Sequence, residues 1–392
     1  MIVAKSAIDD LNQVADATFT FLTYKLSLRE ADLPESPLPI EIVTEQLSYL
    51  PWSEAPKHLH FKHSRRWRQS LKQAGGGGRR SNFISAVARD GETIIQRHQD
   101  GGSGRPQPAL ARSLPRTVLS TANASESPTA LCAKREMQSW RFLALEASSL
   151  RQPDSFNGAS ILDVHGRHMP ATLNRLIKSE NGAEFVTARL AGRLTELVEN
   201  VNGIELDRDE KRQVYSIYVS DVSGNRIPAR GLSDGTLRFL ALSILEEDPM
   251  VTGLICLEEP ENGIHPKRLP SMIALLRDIA LDPFEPCAED NPLRQVIVNT
   301  HSPSVVAEVP DDSLVVVVGR TARFGERLVH SPSFFGLPGT WRAEIDGGSL
   351  ARGVLIPYLN PIQPHRSSLK SSPRVADRED LQPLLPNFDE TL

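Results

Sequence analysis

The chain has 392 residues, enough for two or three domains at roughly 150 residues per domain. Hydrophobic residues make up 40% and charged residues 24%, so the composition supplies a sizeable core and excludes a wholly disordered protein. The formal net charge of −5 excludes a basic field over the whole protein, so nucleic-acid binding would need a local patch. The 3 cysteines are too few and too scattered for a disulfide framework, which favours a reducing, cytoplasmic compartment. The sequence contains no run of about 18 apolar residues, so it predicts no membrane-spanning helix.

The first hundred residues are predicted to form antiparallel sheet. Segments 17–28 and 38–50 are rich in β-prone residues, and Asp90-Gly91 separates two β-prone arms within 82–97. That dipeptide is a strong hairpin signal because the tight turn needs positive φ, which Asp and Gly tolerate. Glycine- and proline-rich stretches at 74–81, 100–115 and 357–386 are predicted to be two loops and a loosely ordered tail.

Helical patterning begins near residue 130. Pro170 is placed to occupy the first turn of a helix, and an apolar face continues from 185 to 201. Beyond residue 202, helices predicted at 234–247 and 267–281 alternate with short apolar strands. Three such strands, at 254–257, 295–299 and 314–318, are continuous and apolar, as is typical of a buried parallel sheet. The pattern therefore predicts an α/β layer.

The strongest candidate site follows the strand Gly253-Leu-Ile-Cys-Leu, where Glu258 and Glu259 are adjacent. Open α/β sheets bind ligands at this carboxyl edge, and successive side chains along a strand point to opposite faces. One glutamate could therefore hold Mg²⁺ while the other deprotonates an attacking water. The alternative is an ordinary exposed strand end followed by a turn.

Two further segments flank this pair. In the first, Ser233 can cap a helix, and Gly235 would let a phosphate approach the free amide groups of the first turn. In the second, His301 follows the next apolar strand, where a ring nitrogen can hydrogen-bond a terminal phosphate. Taken alone, the first segment favours an ordinary helix cap, and the second can be a turn histidine beside a helix cap at Ser302. Their order, spacing and strand-tip placement together form a specific combination.

This combination resembles the nucleotide-binding heads of ABC-type ATPases in the branch that contains RecF and the structural-maintenance-of-chromosomes (SMC) proteins. It is most similar to bacterial stand-alone AAA-family, RecF-like ATPases, several of which occur in anti-phage defence. LSDGTLRFLAL resembles the signature motif, LICLEEPENGIHP the Walker B motif and D-loop, and VIVNTHSP the switch-histidine loop. The resemblance implies a P-loop NTPase, ABC-type head with a mixed core sheet, an N-terminal antiparallel β-subdomain and a helical subdomain.

The resemblance also implies a role for each matching residue. Glu259 would be the catalytic glutamate, Glu258 the magnesium-associated carboxylate, and His301 the sensor of the γ-phosphate. Ser233, Asp234, Gly235 and Thr236 would contact ATP held by the opposite protomer. Asn262, Gly263 and His265 would lie on the dimer seam, and Gln152 falls near the expected Q-loop position.

The expected organisation has four parts. Residues 1–129 form the antiparallel β-subdomain, 130–201 the helical subdomain, 202–320 the ATPase core and 321–392 a C-terminal extension. The sequence contains no G-x-x-x-x-G-K-[ST] phosphate loop, so the family's Walker A motif is lacking. In the family that loop precedes the antiparallel sheet, which suggests a truncated amino terminus.

The expected function is therefore an ATP- and Mg²⁺-dependent ATPase acting as a cytoplasmic, homodimeric, ATP-gated switch. A DNA or nuclease partner is expected, in DNA repair or anti-phage defence. The alternative is a truncated or non-catalytic ATPase-like subunit that serves as a regulatory or interaction protein. A basic segment at 57–72 is a weaker candidate for nucleic-acid contact, with rings available for stacking beside Lys62, Arg65, Arg66 and Arg68. A solvated surface is the alternative there.

Overall fold

A computed structural model describes residues 1–31, 39–73, 82–100, 104–179, 182–325, 327–345 and 350. The predicted loop at 74–81, residues 101–103 of the second predicted loop and the predicted tail at 357–386 lie outside these residues. Among the helices described, none has the length and apolar character needed to cross a membrane.

The strands and helices alternate in a mixed α/β arrangement. The strands are β1 (Ser6–Ile8), β2 (Val14–Asp16), β3 (Leu22–Glu30), β4 (Ile40–Tyr49), β5 (Ile84–Arg89), β6 (Glu92–Arg97), β7 (Gln107–Leu110), β8 (Arg141–Leu143), β9 (Asp154–Ser155), β10 (Val201–Asp209), β11 (Val214–Asp221), β12 (Arg226–Pro228), β13 (Gly253–Glu258), β14 (Arg294–Asn299), β15 (Val316–Phe324) and β16 (Arg327–Phe335). The helices are α1 (Ala55–His58), α2 (Arg65–Ser70), α3 (Pro128–Gln138), α4 (Ala147–Leu150), α5 (Met169–Ile177), α6 (Ala183–Leu197), α7 (Asp234–Glu246), α8 (Leu269–Ile279) and α9 (Pro303–Glu308).

The amino-terminal part is an antiparallel sheet in the order β3-β4-β5-β6-β7. The predicted hairpin is confirmed, because β5 and β6 pair directly across Asp90 and Gly91. Both turn residues have positive φ, 53° and 80°, as a two-residue hairpin loop of this kind requires.

The core sheet is parallel, in the order β14-β13-β8. Two predicted strands, at 254–257 and 295–299, are confirmed as the parallel pair β13 and β14, which run in register from Gly253 opposite Arg294 to Glu258 opposite Asn299. The predicted burial is wrong for β14, which lies at the sheet edge with Ile297 48% exposed. Helices α7 and α8 bury their apolar sides against this sheet, with Leu240 and Met272 fully buried. The register aligns the carboxyl ends of β13 and β14 at one edge, so the residues that follow them lie close together.

The prediction that residues 314–318 belong to the parallel sheet is wrong. Strand β15 pairs antiparallel with β16, and Val317 on it is 55% exposed. The run of four valines specifies an extended backbone but not its partner. Strand β16 supplies the backbone hydrogen-bond partners of β15, so β15 does not need to pair with β14.

The predicted domain boundaries at residues 129 and 201 do not coincide with the limits of the hydrophobic cores. Helix α3 joins the core of the amino-terminal sheet, since Leu131 packs in the same cluster as Leu47 and Ile84. Strand β8 pairs with β13, although it falls within the predicted helical subdomain. Helices α5 and α6 pack on β10 and β11, so residues 130–201 are divided between two cores rather than forming a separate unit.

The amino-terminal sheet buries a carboxylate that should make stability depend on pH. Glu45 on β4 is fully buried and accepts hydrogen bonds from the Val118 and Leu119 amides at 2.6 and 2.8 Å. Burial outweighs these bonds and raises the pKa of the Glu45 carboxyl above its ordinary value of 4.5. The folded protein therefore favours the protonated form, and this contribution to stability is lost as pH rises from about 4.5 through the raised pKa.

We expect Glu45→Gln, a neutral isostere, to remove this pH dependence. The free energy of unfolding of the variant, relative to wild type, should rise as pH increases from 4 to 7, as measured by urea denaturation at several pH values. The exposed Glu30 on the neighbouring strand provides the matched control, Glu30→Gln. A difference between Glu45→Gln and wild type that stays constant with pH would contradict the assignment.

Candidate functional site

Glu258 and Glu259 lie at the carboxyl end of β13, beside the end of β14. Glu258 is opposite Asn299 in the parallel register, and the Glu259 amide donates to the Asn299 carbonyl at 2.8 Å. Glu259 has a φ of 44°, in the left-handed region that non-glycine residues rarely adopt. The chain turns sharply at this residue, so its side chain leaves the line of the strand. Such backbone strain clusters at functional sites.

The Glu259 carboxylate is held at both oxygens. Its Oε1 pairs with Nδ1 of His301, which follows β14, and its Oε2 accepts from Nδ2 of Asn262 at 2.7 Å. The Glu259 side chain is 29% exposed and the His301 ring 75% exposed. The structure thus brings together a fixed carboxylate and a solvent-accessible imidazole from two neighbouring strand ends.

Glu258 and Glu259 both face a cavity of about 350 Å³. Strand β8 and the loop after it, through Glu146, form one wall, and Arg238 on α7 forms another. Glu258 is exposed, and its carboxylate makes no hydrogen bond or ion pair to any other described residue. An unpaired carboxylate lining a cavity suits Mg²⁺, which binds through one or two carboxylates and retains several waters. No group of three or more metal-ligating side chains occurs within the described ranges.

Glu261 is a buried carboxylate that the sequence analysis missed. Its side chain accepts from the Thr300 hydroxyl through Oε1, while Oε2 is buried without a hydrogen-bond partner in the described part of the chain. The Thr300 hydroxyl in turn accepts from the Ser302 amide at 2.9 Å. Glu261 therefore joins the turn after β13 to the loop after β14, on either side of the Glu259–His301 pair. The sequence signal that could have identified it is the presence of a third glutamate in the turn that follows Glu258-Glu259.

The segment Ser233–Thr236 opens α7 as a capped helix. The Ser233 hydroxyl accepts from the Thr236 amide at 3.2 Å, which confirms the predicted cap. Gly235 packs on the turn after β13 so closely that an added Cβ would lie 2.3 Å from the Gly263 carbonyl oxygen. Gly263 itself has a φ of 83°. Only glycine fits at this contact, which places the start of α7 directly against the turn that carries Asn262.

Two arginines connect the segment Ser233–Thr236 and the turn after β13 to neighbouring parts of the fold. Arg238 donates to the Asn262 carbonyl at 2.8 Å and to the Leu145 carbonyl at 3.3 Å. Arg151 forms an ion pair with Asp234 at 2.6 Å and donates to the Leu232 carbonyl at 3.0 Å. Sequence reasoning missed both arginines, because each contacts backbone atoms distant in the sequence.

The remaining predicted site residues lie farther from the carboxylates. Gln152 is exposed, donates to the Ser148 carbonyl at 3.2 Å and does not line the cavity. Exposed His265 caps the short helix after the turn, where its Nδ1 accepts from the Lys267 amide at 3.2 Å.

The basic segment includes α1 and α2, and its tryptophan is not available for stacking. Trp67 is fully buried between flanking arginines, because it packs into a small apolar cluster with Phe21 and Leu71. The prediction of an accessible ring is therefore wrong for Trp67. Lys62 and Arg65 are exposed, Arg66 pairs with Glu285 at 3.3 Å, and Arg68 contacts His63 at 3.0 Å.

Comparison with protein families supports a nucleotide-binding ATPase domain. A family described as "AAA domain, putative AbiEii toxin, Type IV TA system" matches residues 131–307, somewhat less than half of the chain. The match contains β8, the signature segment, the two glutamates and His301. No curated protein matches the chain significantly.

The solved structures that are similar to this chain include SMC heads. An SmcHead bound to the C-winged helix domain of ScpA is 10% identical, with 81% of this chain and 98% of that chain covered and a TM-score of 0.35. The SMC head domain from Thermotoga maritima is also 10% identical, with 80% and 98% covered and a TM-score of 0.26. A structure from a study of ATP-driven dimerization of SMC ATPases is 8% identical, with 41% and 88% covered and a TM-score of 0.27.

Similarity at these identities and scores assigns no residue role or partner in this chain. The chain has a mixed α/β fold, and its segment 131–307 is similar to AAA-type ATPase domains.

Proposed function

We propose that this chain binds ATP with Mg²⁺ at the carboxyl edge of β13 and β14 and hydrolyses it to ADP and phosphate. One observation carries the proposal: the Glu259 carboxylate is fixed at both oxygens, by His301 and Asn262, beside an unpaired Glu258 that lines the same cavity. A strand-tip pair of carboxylates with different partners can divide the work of base and metal ligand. The family match over this segment agrees with that assignment.

In this proposal Glu259 is the general base. It lies at the sharp turn and lines the cavity, where it would accept the proton of a water attacking the γ-phosphate. Asn262 holds one carboxylate oxygen and so restricts rotation of the group. His301, exposed and bonded through Nδ1, has its second ring nitrogen available for the terminal phosphate.

Glu258 would hold Mg²⁺, directly or through water, because its carboxylate faces the cavity without another partner among the described residues. The ion would neutralise charge on the phosphates. The nearby Arg238 is engaged by two backbone carbonyls, so it helps to shape the cavity wall.

The proposal extends to a homodimer that acts as an ATP-gated switch. Ser233 and Asp234 are exposed at the capped start of α7 and would contact ATP held by a second copy. Gly235 and Thr236, expected to make the same contact, are buried, and Gly235 packs on the Gly263 carbonyl. Asn262, Gly263 and His265 are exposed and would lie on the seam between the copies. The sequence resemblance alone suggests a DNA or nuclease partner in DNA repair or anti-phage defence, with Gln152 near the nucleotide.

Magnesium-dependent nucleotide binding tests the proposal. We expect ATP to bind the wild-type chain more tightly with Mg²⁺ than with EDTA, as measured by calorimetric titration. Glu258→Gln should remove most of this difference, whereas Glu210→Gln, in the exposed turn between β10 and β11, should leave it unchanged.

The alternative function is a regulatory or interaction subunit without catalysis. The lack of a G-x-x-x-x-G-K-[ST] segment in the sequence favours it, because that loop supplies the amides and lysine that hold phosphates. No ATP binding by wild type, with or without Mg²⁺, would support this alternative and contradict the ATPase proposal.

A further inference from the structure

A second cavity, of about 770 Å³, lies at the opposite end of the parallel sheet. It is lined by Gly253 and Arg294, the first residues of β13 and β14, whereas Glu258 and Asn299 end those strands. No described residue lines both this cavity and the one beside Glu259. The two cavities are therefore separate sites on the same sheet.

Aromatic side chains form part of the wall of this second cavity. Phe61 lies 5.6 Å from Trp67 and 6.5 Å from Trp341 between ring centroids, so the three rings form one continuous wall. Trp140 and Phe284, 49% and 55% exposed, stand at its rim. A volume of this size and an apolar lining are typical of small-molecule sites.

One buried hydrogen-bond donor in this wall has no acceptor. The indole Nε1 of Trp67 is buried without a partner among the residues described, and the whole side chain is fully buried. A buried tryptophan N–H normally finds a partner, since leaving it unsatisfied is costly. Because the Trp67 side chain has no exposed surface, a molecule in the cavity would contact the partly exposed rings of Phe61 and Trp341 instead.

Some of the charged side chains that line the cavity have partners within the protein, and others have none among the described residues. The Arg294 guanidinium is used internally, because it donates to the carbonyls of Glu246, Asp248 and Val251. By contrast, Lys62 and Arg277 are exposed at the cavity and form no ion pair with any described residue.

Four other charged groups lie on the wall, and one of them, the Asp312 carboxylate, interacts electrostatically with the Arg342 guanidinium. Arg342 donates to the Asp312 carbonyl at 2.8 Å. Glu136 accepts from Trp140 Nε1 at 3.3 Å and faces the amino group of Met1. Burial raises the pKa of Glu136 and lowers the pKa of that amino group, so both are pushed toward their neutral forms. The cations left to attract a ligand are therefore Lys62 and Arg277.

We propose that this cavity binds an aromatic anion, a molecule with a flat apolar body and a carboxylate or sulfonate group. The body would pack on the partly exposed rings of Phe61 and Trp341, and the buried Trp67 would support the Phe61 ring. The anionic group would lie at the rim, between Lys62 and Arg277. A charge-assisted hydrogen bond at such a rim corresponds to roughly a tenfold or greater gain in affinity.

Two fluorescent probes of nearly the same shape test this assignment on the full chain. The first, 1-anilinonaphthalene-8-sulfonate, carries the anion, and the second, N-phenyl-1-naphthylamine, lacks it. We expect the sulfonate to bind one molecule per chain, about tenfold more tightly than the neutral probe. Arg277→Gln should weaken binding of the sulfonate about tenfold toward that of the neutral probe, whose affinity should not change.

Two further variants separate this cavity from general surface binding. Trp140→Ala removes part of the rim and should weaken both probes several-fold. Phe185→Ser removes an apolar side chain that is 48% exposed on α6, away from the cavity, and should weaken neither. Binding of several sulfonate molecules per chain, equal affinity for the two probes, or unchanged sulfonate binding in both Arg277→Gln and Trp140→Ala would overturn the proposal.

Discussion

Replacing Glu259 with glutamine is expected to lower the rate of ATP hydrolysis by about 10²–10⁴-fold while ATP still binds. The amide keeps the shape of the side chain and can still bond with Asn262 and His301, but it cannot accept the proton of the attacking water. Phosphate release at saturating ATP and a separate nucleotide titration measure the two effects. Bound but unhydrolysed ATP should also increase the dimer population in sedimentation experiments.

The Glu210→Gln control should hydrolyse ATP at the wild-type rate. Asn262→Ala provides a graded comparison, because it leaves the base in place and frees one carboxylate oxygen. We expect its rate to fall by about tenfold, between those of wild type and Glu259→Gln. A Glu259→Gln rate within threefold of wild type would exclude Glu259 as the general base.

Asp248→Ala is expected to produce the largest loss of stability, about 3–5 kcal/mol. Asp248 follows α7, its side chain is fully buried, and its Oδ2 pairs with Arg175 on α5. Its Oδ1 accepts from the Met250 amide at 3.0 Å. Removing the carboxylate leaves the partly buried guanidinium of Arg175 without its ion partner, which costs far more than loss of an exposed pair.

Urea unfolding measures this loss, with the exposed Asp290→Ala as control. The double variant Asp248→Leu with Arg175→Met removes both charges and should recover part of the lost stability. A loss below about 1 kcal/mol in Asp248→Ala would show that the pair contributes no more than a surface contact.

Local sequence signals predicted the elements that depend on local chemistry. Asp90-Gly91 specified the β5–β6 turn because few other residues tolerate positive φ there. Ser233 specified the start of α7 because its hydroxyl can satisfy a free amide of the first turn. The apolar runs before Glu258 and Asn299 specified two parallel strands whose carboxyl ends carry polar residues, but only β13 is buried.

Those local signals do not specify which distant segments of the chain pair with each other. The apolar run at 314–318 resembles the two core strands in composition, yet it forms a hairpin with β16, since periodicity does not encode the partner of a strand. The three-residue β8 is too short to give a periodic pattern, although it completes the core sheet. Burial of Trp67 likewise follows from the cluster it joins rather than from its basic neighbours.

The sequence by itself determined which residue types stand at the two strand ends and at the start of α7. Only the tertiary structure decided what each one contacts: Glu259 is held by His301 and Asn262, whereas Glu258 has no partner within the described residues. The tertiary structure also revealed the contacts made by Glu261, Arg151 and Arg238. The physical reason is that hydrogen bonds and packing act over a few ångströms in space, and folding brings together groups that are dozens of residues apart in the chain.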